Sequence, residues 1–191
     1  MASEFIRLVQ DKFLFLTSKY GFRCKSSTSD FVRYESDKVF VVVHFDSIRS
    51  YEIGVEVGQL EALYNGQERP FNLGEILRLE GVAEKENYTI FQADTSAALE
   101  SGLSRLALLL SSYAVDYLQN DRFSFKRLSD FREKECNQYE LETRLVHIRK
   151  EVRKAWENKD YVKVVELYKP VENAITAAEK KKLDFARKKI K

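Results

Sequence analysis

Residues 31–57 read FVRYESDKVFVVVHFDSIRSYEIGVEV, and their periodicity decides the fold. Phe31 to Glu35 and Lys38 to Phe45 are β-type runs separated by Ser36-Asp37, a gap short enough for a tight hairpin turn. A second turn around Asp46 to Ser50 leads into Tyr51 to Val57, where apolar and other residues alternate with the period of a half-buried strand. Tyr51, Ile53, Val55 and Val57 are therefore expected to face a core, with Glu52 and Glu56 pointing the other way and Arg33 and Glu35 on a comparable polar face. Lys38 to Phe45 is apolar on both faces, Val39, Val41, Val43 and Phe45 on one and Phe40 and Val42 on the other, which predicts a central strand covered twice.

Upstream of this region, Ser3 is placed to cap a helix with Phe5, Val9, Phe13, Leu16 and Tyr20 on one face, ended by Gly21. Phe22 to Lys25 reads as a short strand and Ser26 to Asp30 as a polar loop. Downstream, the period is lost from Gly58 to Pro70, where Asn65-Gly66 marks a turn in an exposed connection. Asn72 and Glu75 fit a capping box opening a helix through Leu73, Ile76, Leu77 and Leu79, closed by Gly81. Tyr88 to Phe91 reads as one more strand. Thr95 or Ser96 then caps a longer helix whose Leu99, Leu103, Leu106, Leu110, Tyr113 and Tyr117 form one stripe that fades near Asn120.

Beyond Asn120-Asp121 the β-branched alternation disappears and charged residues surround sparse apolar ones, so the sequence divides into residues 1–120 and residues 121–191. Asp130 and Glu133 can cap a long helix carrying Leu141, Leu145, Ile148, Val152 and Ala155. Asn158-Lys159-Asp160 breaks it, Tyr161 to Lys169 forms another, and Pro170 disturbs the continuation. Thr176 caps a last helix with Leu183, Ala186 and Ile190 inward. The expected class is α+β: an N-terminal helix, an antiparallel β-meander of three to five strands covered by helices, and an α-helical C-terminal extension.

At 191 residues and 44% hydrophobic content the chain can bury a sizeable core. Its 32 basic against 30 acidic residues leave a formal charge of +2, which gives no general drive toward nucleic acid or an anionic membrane. The first residues lack the basic-then-apolar order of a signal peptide and no apolar run is long enough for a membrane helix, so a cytoplasmic location without membrane attachment is expected. In that setting Cys24 and Cys136 are expected as free, buried or half-buried thiols. With only His44 and His147 besides, no closely spaced zinc set exists, and neither a metal nor a cofactor is expected. Nucleophile motifs of the G-x-S-x-G, C-x-x-C and H-E-x-x-H kinds are absent, and the seven glycines never gather into a phosphate loop, which weighs against an enzyme. Lys180, Lys181, Lys182, Arg187, Lys188, Lys189 and Lys191 crowd the last helix. Read as a solvated face without aromatic residues to stack bases, they make nucleic acid the lesser expectation.

Trp156, Lys159-Asp160-Tyr161, Val164 and Tyr168 resemble one degenerate tetratricopeptide unit, with Val164 where that family uses a small residue. The resemblance implies docking of a partner segment against a helical hairpin. The order of elements in residues 1–120 is broadly similar to small bacterial immunity-type proteins and to secretion-system chaperones, and carries no functional residues across. The primary expectation is a non-catalytic protein-binding module, in the manner of an immunity or defence-associated factor. Its candidate partner-binding residues are Arg33, Glu35, Glu52 and Glu56 on the sheet, beside the 58–70 loop. The alternatives are a helical adaptor acting through Trp156, Tyr161 and Tyr168, and an enzyme of unknown class with a site near His44. The oligomeric state is open.

Overall fold

The computed structural model describes residues 2–190, so Lys191 of the basic cluster lies outside the described residues. In chain order its helices and strands are α1 (Ala2–Lys12), α2 (Leu14–Ser18), β1 (Arg23–Ser27), β2 (Phe31–Glu35), β3 (Val39–Phe45), β4 (Glu52–Gln59), β5 (Leu63–Tyr64), β6 (Gln67–Glu68), β7 (Phe71–Asn72), α3 (Leu73–Leu79), β8 (Phe91–Gln92), α4 (Ser96–Tyr113), α5 (Val115–Leu118), α6 (Arg122–Glu157), α7 (Tyr161–Tyr168) and α8 (Ala177–Lys189). The chain is α+β, with contacts that separate it into two units, residues up to Arg132 and residues from Glu133 onward. Composition shifts at Asn120, but Phe125 and Leu128, on the first turns of α6, still belong to the first core, so the contacts divide inside the helix.

In the first unit, β1 to β4 form an antiparallel meander, and the short β7 and β8 pair with β4. Val39, Val41, Val43 and Phe45 of β3, with Ile53, Val55 and Val57 of β4, enter one core with Phe5, Val9 and Phe13 of the N-terminal segment and Leu99, Leu103 and Leu106 of α4. Each such side chain contributes about 1.5–3 kcal/mol on full burial, so this layer carries most of the unit's stability. β3 is central, between β2 and β4. Its second face is not covered as expected. Phe40 is buried, yet what closes over it is the Arg33 guanidinium, 4.1 Å from the ring centroid, together with Gly58. His44 sits likewise against Gly54, where an added Cβ would lie 2.5 Å from Nε2. Glycines opposite rings leave room for the rings to lie flat on the sheet.

Several boundaries differ from the sequence expectation for local reasons. Helix begins at Ala2, so Ser3 lies inside it, and it is interrupted at Phe13, whose φ of −101° and ψ of 17° depart from helical values and redirect Leu14 to solvent. Ser26 and Ser27 extend β1, while Tyr51 adopts a φ of 56° outside the strand and is exposed. α6 starts well before Asp130: Asp121 accepts the Ser124 N–H at 2.8 Å and serves as the cap, and Asp130 pairs with Lys126. The capping box at Asn72 and Glu75 forms as read, both hydrogen bonds being 2.9 Å. Both cysteines are exposed, because Cys24 lies on edge strand β1 and Cys136 on a polar stretch of α6. Among the described residues no helix is long and apolar enough to cross a membrane.

In the second unit, Leu145, Ile148, Val152 and Ala155 of α6 pack with Val164, Tyr168, Leu183 and Ala186 of α7 and α8. Asp160 caps α7 by accepting from Lys163 N–H at 3.0 Å, and Lys159, with a φ of 57°, turns the chain between α6 and α7. Pro170 sits in a 3₁₀ turn that ends α7. Ile190, expected inward, is the C-cap residue just past the end of α8 and is exposed.

Candidate functional site

The candidate residues fall into two groups, one in each unit. On the outer sheet face, Arg33 donates from Nε to Glu35 Oε1 at 2.7 Å and reaches Glu68 through Nη1 and Nη2 at 2.7 and 2.8 Å. A bidentate fork of this kind is geometrically specific, and it ties the β5–β6 hairpin to β2. The Arg33 guanidinium holds the Glu68 carboxyl below the usual carboxylate range. Arg33 and Glu35 are thus occupied within the chain. Glu68 was not evident as their partner because its two-residue strand carries no periodic signal. The Asn65-Gly66 signal does become a hairpin turn, with φ of 51° and 76° at the two positions.

Glu52 and Glu56 remain half-buried on β4, flanking Gly54, which pairs with His44. Among the described residues no hydrogen bond joins His44 to a carboxylate, although Asp30 and Asp46 line the same shallow depression. Asp46 is instead turned onto its own loop, accepting the Arg49 and Ile48 N–H groups at 2.9 and 3.2 Å. These backbone donors lower its pKa.

In the second unit, Trp156, Tyr161 and Phe185 form a ring triad, with Trp156 and Tyr161 half-buried against the core and Phe185 exposed. Trp156 lies 5.7 Å from Tyr161 and 5.5 Å from Phe185, and Tyr161 lies 5.8 Å from Phe185. The sequence brings the first two rings together across the Asn158-Lys159-Asp160 turn, and α8 delivers the third. Tyr168, grouped with them in the sequence, is placed in the core, where burial raises its pKa. The basic run on α8 does contain an aromatic residue after all. Phe185 is 43% exposed, with Lys182 Nζ 5.3 Å from the Trp156 ring and Lys189 Nζ 5.4 Å from the Phe185 ring. Its spacing of three and four residues from these lysines puts all three on one helical face, a signal readable in the sequence once the helix is set.

Two further ion pairs hold α8 in place. Arg149 Nε donates to Glu179 at 2.7 Å, and Arg187 reaches both oxygens of Glu172 at 2.8 and 2.7 Å. Glu179 also closes the Thr176 capping box, and the Arg149 guanidinium with the Thr176 donors depresses its pKa to about 2. A carboxylate depressed in the folded state stabilises fully above its unfolded value of 4.5 and loses that contribution as pH falls toward 2. Trp156 is the only tryptophan, so its emission reports on this unit. Its thermal transition is expected to drop in temperature as pH is lowered through this window, and less steeply in Glu179→Gln. Identical pH slopes for the two proteins would remove Glu179 from the account.

Against known proteins, no family model matches the chain, and neither a curated protein nor a solved structure does.

Proposed function

We propose that this protein is a non-catalytic binding module that docks another protein on the ring triad of its C-terminal helical unit. The observation that carries this reading is the clustering of the exposed Phe185 with the half-buried Trp156 and Tyr161, all within 5.8 Å of one another. Tryptophan and tyrosine dominate the energetics of protein interfaces, since each offers a large rigid contact area at small entropic cost. The competing sheet-face residues Arg33 and Glu35 are satisfied by Glu68 and by each other, which leaves Glu52 and Glu56 as the sheet-face candidates.

The test is affinity capture from the native cell with the full chain as bait, comparing the unaltered protein with Phe185→Asp and with Glu52→Lys/Glu56→Lys. A stoichiometric protein held by the unaltered chain is expected to be lost from Phe185→Asp and kept by the sheet-face variant. Circular dichroism verifies that each variant is folded. Loss from the sheet-face variant alone would move the site to β4 and overturn the assignment.

A further inference from the structure

The ring triad is flanked by cations that, among the described residues, have no carboxylate partner. Arg149 and Arg187 of the same unit are both paired, with Glu179 and Glu172. Lys182 and Lys189 are exposed, and among the described residues neither has an acidic group within ion-pair distance. Each is instead held over a ring of the triad. Such a cation–π contact is worth only about 0.5–1 kcal/mol at an exposed site, so it positions the ammonium without satisfying it.

Resting on the docking role of the triad, we infer that its occupant is an acidic peptide segment of the partner, with an apolar side chain on the exposed edge of Phe185 and carboxylates on Lys182 and Lys189. The dimensions set the spacing. Lys182 and Lys189 are two helical turns apart along α8, roughly 10 Å at 1.5 Å per residue. Side chains of an extended chain alternate faces at about 3.3 Å per residue, so acidic residues four positions apart, with an apolar residue midway on the same face, span about 13 Å, a distance the two flexible lysine side chains accommodate. Single-stranded nucleic acid fits less well. The three rings meet one another at 52° to 79° instead of lying parallel, and a lysine lies over Trp156 and another over Phe185, an arrangement poorer for stacking successive bases.

The full chain is titrated with the acetylated peptide Glu-Glu-Leu-Phe-Glu-Glu, with the same peptide carrying Lys for every Glu, and with an oligothymidylate, while Trp156 emission is followed. The acidic peptide is expected to give a saturable shift that weakens about tenfold or more in Lys182→Gln/Lys189→Gln and fades as salt is raised. Both lysines are exposed, so this variant keeps its fold, as circular dichroism checks. No shift with the acidic peptide, an equal one with the lysine peptide, or a stronger one with the oligothymidylate would each overturn the inference. The docking role is judged separately by capture with Phe185→Asp, so it can survive that loss.

Discussion

Arg132→Met is expected to destabilise the first unit by about 3–5 kcal/mol, the usual penalty for removing one partner of a buried ion pair. Arg132 donates from Nε and Nη2 to the two Glu75 oxygens at 2.5 and 2.6 Å, and from Nη2 to the Pro70 carbonyl at 2.7 Å. Its guanidinium also lies 3.9 Å from the Phe71 ring centroid. The Glu75 side chain is only 8% exposed, so without Arg132 its charge would remain in a site that water hardly reaches. The same carboxylate accepts the Asn72 N–H, so the residue has a capping duty independent of its charge. Glutamine performs that duty uncharged. The double variant Arg132→Met/Glu75→Gln is therefore expected to recover most of the lost stability. Hydrogen exchange at the β3 amides reads the first unit by itself; equal loss in single and double variants would mean that the uncompensated charge is not the cause.

Gly102→Val is expected to lower stability by about 1–3 kcal/mol through overpacking. Gly102 is buried on α4, and a Cβ built there collides with the Ile53 Cδ1 methyl of β4. Gly102→Ala sets two effects against each other: relief from glycine in a helix interior favours it by about 1 kcal/mol, while the overlap with Ile53 opposes it. Ile53→Val removes the colliding methyl and alone costs about 0.5–1.5 kcal/mol by leaving a void. In the double variant the new methyl fills that void, so Gly102→Ala/Ile53→Val is expected to be more stable than the sum of the single changes allows. Simple additivity in a double-mutant cycle from denaturant unfolding would sink this contact as the reason for the glycine.

Sheet and helices were legible wherever one face had to be buried. The alternation through Ile53, Val55 and Val57 fixes which side faces the core, because a shift by one residue would expose the whole set, and the leucine stripe of α4 fixes a buried face at the helical period. The Asn72-Glu75 and Thr176 caps were readable for a similar reason, since their hydrogen bonds span only three residues. Tyr51 and Phe13 escaped that logic. Both match the apolar pattern, yet a left-handed turn and a helix break at those positions are decided by how the neighbouring elements connect.

By itself, the sequence determined the α+β class, the antiparallel meander with its covering helices, and most of the apolar faces, all of which follow from local periodicity. Only the tertiary structure decided which charges are spent and which remain. Glu68 reaches Arg33 and Arg132 reaches Glu75 from 35 and 57 positions away, distances over which no periodic signal operates. The same holds for the candidate site: Trp156 and Tyr161 are neighbours across a turn, but only the packing of α8 on α7 brings Phe185 and its lysines to them.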